Sequence, residues 1–74
     1  MDYATLTNEQ KEFIDNRWTW YHDKTTVPHA AACIAHDYLA ATRTRWTARM
    51  ESRSFAAVFT YLAWQRKIAV VYPE

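Results

Sequence analysis

Ser54-Phe55-Ala56-Ala57-Val58-Phe59-Thr60-Tyr61-Leu62-Ala63-Trp64-Gln65-Arg66 reads as a helix that is apolar on two sides. At a helical period, Phe55, Val58, Phe59 and Leu62 form one stripe, and Ala57, Tyr61, Trp64 and Ile68 form a second. A helix with apolar residues on both sides is normally buried on both sides. The stretch therefore predicts an all-α domain packed around this segment. It also raises the question of what covers the second stripe. Ser54 is a natural N-cap and places the predicted start of this helix.

Two further helices are expected upstream. Thr7-Asn8-Glu9-Gln10 fits a capping box, in which the Gln10 side chain reaches back to the cap. Phe13, Ile14, Arg17, Trp18, Trp20 and Tyr21 then share one broad aromatic face, while Glu12, Asp15, Asn16, Thr19 and Asp23 take the other side. Thr25-Thr26-Val27-Pro28 stops that helix, because β-branched residues and a residue held extended by proline continue it poorly. Proline suits a new helix start. From Pro28 to about Ala41 the core stripe is Ala30, Ala31, Ile34, Tyr38 and Ala41. A straight continuation would bring Arg45 and Arg49 onto that stripe, and unpaired buried arginines are costly. Either the helix breaks or kinks near Thr42–Thr44, which is the favoured expectation, or it projects past the core and offers its arginines to a partner. The count is thus three helices, or four if the Thr42 region adds a separate one.

Ile68-Ala69-Val70-Val71-Tyr72-Pro73-Glu74 has strand composition, with Pro73 ending it. A short C-terminal β-strand or extended tail is expected, with Thr25–Val27 as its only mate within the chain. The alternative is pairing with another chain.

Seventy-four residues make a single small domain, 1–74. A core of this size is marginal without a supplement. One cysteine, Cys33, rules out an internal disulfide. The opening Met1-Asp2-Tyr3-Ala4 has neither a basic nor an apolar leader region. Both features point to a reducing, cytoplasmic setting. The longest uncharged run, Ser54–Gln65, is shorter than the roughly 20 residues of a membrane helix, so no membrane is expected. The absence of glycine excludes glycine-rich phosphate loops and dinucleotide fingerprints. Four tryptophans, five tyrosines and three phenylalanines exceed what a small core usually encloses, which turns part of that surface toward a partner.

Charge is unevenly divided. Asp2, Glu9, Glu12, Asp15 and Asp23 against Lys11 and Arg17 leave residues 1–23 at −3, whereas residues 24–74 carry +4. Arg45, Arg49 and Arg53 are four apart, so on a helix they form a stripe beside Trp46. Arginine, threonine and tryptophan together suit phosphate contact. They equally suit an interface hot spot, or a solvated helix face.

His29, Cys33 and His36 fall on one helix face and are zinc-type ligands. One helix rarely presents three ligands to one tetrahedral ion, so a fourth from His22 or Asp23 would be needed. No metal and no cofactor are expected. A Cys–His pair has only Asp37 to orient it and no evident oxyanion hole. No enzyme activity is expected. Glu9, Glu12 and Asp15 read as a solvated acidic face that complements the helix dipole.

The reading is a non-enzymatic binding protein. It would modulate a macromolecular partner, either a protein or a second copy in a homodimer. Arg45, Trp46, Arg49, Arg53, Tyr61 and Trp64 are the expected partner-binding residues. In style it resembles the accessory proteins of phages and mobile elements, which bind host machinery. The alternative is a small DNA- or RNA-binding transcription regulator. Thr47–Tyr72 has the rough order of a winged helix–turn–helix end: short helix, turn, longer helix, basic pair, strand.

Overall fold

The computed structural model describes the backbone of residues 1–42 and 45–71, with side chains through residue 65. Among these described residues, three helices follow a short N-terminal 3₁₀ turn, Tyr3–Thr5. They are α1 (Asn8–Tyr21), α2 (Val27–Ala41) and α3 (Ala48–Val71). The all-α expectation holds, and among the described residues no strand forms.

Each boundary has a local cause. The Gln10 N–H donates to Thr7 Oγ1 at 3.1 Å, and the Thr7 N–H donates to Gln10 Oε1 at 2.9 Å, which is the expected capping box. Residues 22–24 turn the chain, and Thr26 caps α2 through the His29 N–H, with Pro28 in the first turn. α2 ends at Ala41. Thr42 Oγ1 bonds back to the carbonyls of Tyr38 and Leu39, which competes with continuation of the helix. The expected break is therefore present, and it adds no fourth helix among the described residues. Arg43 and Thr44 lie outside those residues.

Two expectations fail in the third helix. It begins at Ala48, six residues before Ser54. Thr47 is the cap, accepting the Met50 N–H at 3.2 Å while its carbonyl accepts the Glu51 N–H. Threonine at this position satisfies an orphan donor of the first turn, the capping role expected of Ser54 for a later start. At the other end, α3 runs to Val71, so Ile68–Val71 are helical and not a strand. A strand needs an edge, and Val27 is already part of α2. A helix in progress extends at one hydrogen bond per residue without a new nucleation cost. The turn and strand of a winged helix–turn–helix end both fall inside this continuous helix, so that architecture does not form. Tyr72–Glu74 lie outside the described residues.

The core sits where α2 and α3 cross α1. Ile14, Ala31, Ile34, Ala35, Val58, Tyr61 and Leu62 form one buried cluster, walled by Phe13, Trp18, Tyr21, Phe55 and Phe59. Ala30, Ala31 and Ala35 let α3 approach α2 closely. On α2, Leu39 is buried where Ala41 had been expected, and Tyr38 is half-buried. Each fully buried Ile or Leu contributes about 1.5–3 kcal/mol. Twenty-four residues make α3 about 36 Å long, and it spans most of the 42 Å long axis.

Candidate interaction surface

The expected partner-binding residues divide into three environments. Tyr61 is in the core at 8% exposure. Its hydroxyl donates to the Asp15 carboxylate, at 3.0 and 3.1 Å from the two oxygens. Burial first, and then the neighbouring Asp15 carboxylate, pushes the Tyr61 phenol above its usual 10.0. Both apolar stripes of α3 are thus covered within the chain as far as Tyr61 and Leu62. Trp64, one turn further on, stands 55% exposed.

Arg45, Trp46 and Arg49 gather at the corner between α2 and α3. Arg45 lies in the connecting segment and not on a helix, which leaves Arg49 and Arg53 as the stripe on α3. Trp46 is fixed by two contacts. Its Nε1–H donates to Glu51 Oε2 at 3.1 Å, and its ring meets the His36 ring edge-on at 5.6 Å. His36 Nε2 in turn lies 3.1 Å from Glu51 Oε1. The triangle ties the end of α2 to the start of α3. Beneath it, Ala32, Ala35, Ala48, Glu51, Ser52 and Phe55 line a cleft of about 320 Å³. Arg45 and Arg49 are exposed and make no ion pair among the described residues.

Arg53 is engaged by its own chain. Its Nε and Nη2 donate to the two Asp2 carboxylate oxygens at 3.2 and 3.0 Å. This bidentate pair lays the N-terminal segment along α3 and carries Tyr3 to the flank of Trp64. There Tyr3, Ala4, Leu6, Lys11, Tyr61, Trp64 and Gln65 line a groove of about 410 Å³. Tyr3 is 46% exposed, so the groove is open and partly aromatic.

Three features were not singled out from the sequence. Trp20, expected on the buried face of α1, is the most exposed of the large apolar residues among the described ones at 60%. The Lys24 ammonium sits 4.2 Å from its ring centroid. Tyr21 donates to Asp37 at 3.1 Å, and Arg17 reaches Asp37 at 3.8 Å while its guanidinium lies over Phe13. The Tyr21 phenol is raised by burial and by Asp37. The Asp37 contacts depend on the crossing of α1 and α2, which no local pattern encodes, whereas Lys24 over Trp20 and Arg17 over Phe13 are neighbours four residues apart.

His29 is exposed, Cys33 is a half-buried free thiol, and His36 is turned to Glu51. Among the described residues no three His, Cys, Asp or Glu side chains gather as a metal-ion set. Nor is any helix there long and apolar enough to cross a membrane. Comparison with protein families, curated proteins and solved structures finds no match to this chain.

The outer face of α3 completes the surface. At about 100° per residue, Arg49, Arg53, Ala56, Thr60, Ala63 and Trp64 fall within a sector of about 100°. All six are exposed. The face is basic at one end, aromatic at the other and small between.

Proposed function

We propose that this chain is a non-enzymatic protein-interaction module of the cytoplasm, and that the outer face of α3 is its contact surface. The observation that carries the reading is Trp64, held 55% exposed on a helix whose large apolar residues from Phe55 through Leu62 are buried or half-buried. An exposed tryptophan on a rigid element, with unpaired Arg49 at the other end of the same face, has the composition of an interface hot spot. Arg49 and Arg45 supply charge complementarity and orientation. Tyr61 holds the platform in place, and Arg53 secures the N-terminal flank. A regulatory role, in the style of phage and mobile-element accessory proteins, is consistent with a small module of this kind.

A nucleic-acid partner is the competing outcome, favoured by the unpaired Arg45 and Arg49 beside Trp46. Capture of the tagged chain's partner from lysate, with and without nuclease, separates the two. The expected result is one protein retained after nuclease treatment, retained by Arg49→Ala at reduced level and lost with Trp64→Ala. Recovery that disappears on nuclease treatment and depends on Arg49, not Trp64, would assign the surface to nucleic acid.

A further inference from the structure

Resting on the reading of α3 as an interaction surface, we propose that its partner is a second copy of this chain. The two α3 helices pair antiparallel, and Arg49 of each copy lies against Trp64 of the other.

The face is complementary to itself in one direction only. Take a two-fold axis centred between Ala56 and Ala57. Arg49 lies about 11 Å before that centre and Trp64 about 11 Å after it, at 1.5 Å per residue. An antiparallel copy therefore places each Arg49 level with a Trp64, twice over. Both side chains are exposed, and Arg49 has no ion-pair partner among the described residues. A guanidinium over an indole is the strongest common cation–aromatic pairing, and it strengthens as water is excluded. A parallel copy would instead set Arg49 on Arg49 and Trp64 on Trp64, so like charges would meet.

The ground between the two ends permits the approach. Ser52, Ala56, Thr60 and Ala63 are exposed and small, and Arg53, the long side chain among them, is paired with Asp2, so the small residues let a second helix come toward the usual 8–10 Å separation. These residues set only the distance; the partner is chosen by the complementary ends. Phe55 and Phe59, in edge-on contact at 5.6 Å, rise on one flank of the strip. Tyr3 rises on the other, held there by the Asp2–Arg53 pair. That pair also removes the second arginine charge from the face. The two Arg49 charges are then separated by about 22 Å along the axis, beyond the Debye length of about 8–10 Å. One helix face is smaller than the roughly 800 Å² per partner of a standard interface, so the expected dimer is of moderate strength.

The test is analytical ultracentrifugation of the full chain up to about 1 mM, with far-UV circular dichroism confirming unchanged helix content in every variant. The wild-type chain is expected to show a monomer–dimer equilibrium. Ala56→Glu, at the centre of the strip, should weaken it at least tenfold. Arg49→Trp and Trp64→Arg should each weaken it at least tenfold. The double variant Arg49→Trp/Trp64→Arg rebuilds both pairs in reverse and should return to within about threefold of wild type. A wild-type chain that stays monomeric would overturn the proposal. So would a dimer indifferent to Ala56→Glu, or a double variant as weak as the single ones. If the chain is monomeric yet retains a different protein through Trp64, self-pairing fails while the interaction reading stands. If the dimer forms and no Trp64-dependent capture of another protein occurs, self-association is the whole of the function.

Discussion

Ser54→Ala should make this protein more stable. Ser54 is 1% exposed, and its hydroxyl oxygen has no hydrogen-bond partner. It sits inside α3, about two turns past Thr47, which caps the helix through the Met50 N–H. A buried polar group left unsatisfied costs about 1–3 kcal/mol. Alanine is also the better helix former, by up to about 0.7 kcal/mol per residue. Loss of one oxygen leaves little cavity. The expected gain is about 1–2 kcal/mol, or roughly 5–15 °C in Tm for a domain of this size. Urea denaturation at neutral pH reads it directly as a rise in midpoint at constant slope. Were Ser54 the N-cap that its sequence position advertises, the same substitution would cost about 0.5–2 kcal/mol. The two placements thus predict opposite signs. A destabilised Ser54→Ala variant would refute both the continuous α3 and the unsatisfied hydroxyl. Thr47→Ala serves as the control and should lose about 1 kcal/mol.

Tyr61→Phe should cost about 1–2 kcal/mol at neutral pH, the lower range for a hydrogen bond to a charged acceptor, since Asp15 can turn to water. Its pH dependence is more telling. The folded state holds this phenol protonated above its usual 10.0, so the stabilisation is complete below about pH 10 and is lost as pH rises through the raised folded value. Thermal melts between pH 8 and about pH 11.5 should fall more steeply for wild type than for Tyr61→Phe; parallel curves would show that Tyr61 is not the titrating group. Arg53→Ala should change stability by no more than about 1 kcal/mol, because the Asp2 pair is solvent-exposed. Proteolysis should nonetheless cut the Met1–Leu6 segment faster in that variant, and an unchanged rate would show that the pair does not hold the segment.

Residue spacing made most of the helical architecture readable. The Thr7–Gln10 box acts through neighbours three residues apart and Pro28 marks a helix start by itself, so both signals are contained in a short window, although α2 takes in Val27, which had been expected to stay extended, and is capped by Thr26. The break at Thr42 was readable because a straight helix would have buried arginines. The start of α3 was not. Thr47 and Ser54 are both good caps, and the Ala48–Arg53 turn between them is polar enough to pass for a loop. Only packing against α2, through Ala48, Glu51 and Phe55 around one cleft, makes that turn helical. The C-terminal residues show the same effect in reverse. Ile68–Val71 favour a strand by composition, yet a strand without an edge loses to a helix already in progress.

The site residues were legible as types and not as roles. Tyr61 and Trp64 share a stripe in the sequence, but Tyr61 is enclosed by α1 while Trp64 emerges beyond Leu62. Arg45, Arg49 and Arg53 read as one basic stripe. The structure leaves two of them outward and ties the third to Asp2, 51 residues away. The same happens to the larger charge division of the chain, because Arg17 meets Asp37 and Lys24 meets Asp23, whose carboxyl is held below its usual 3.8 by Lys24. This internal pairing changes how a binding experiment must be read. Two outward arginines at the α2–α3 corner would release about two counterions on a nucleic acid, where three or four would give a steep slope. Among the described residues, then, a shallow salt dependence fits a protein partner and a nucleic acid alike. The distinction falls on Trp64. A backbone-phosphate contact loses little when an indole 15 residues along α3 is removed, whereas a protein interface centred on that indole loses its principal anchor.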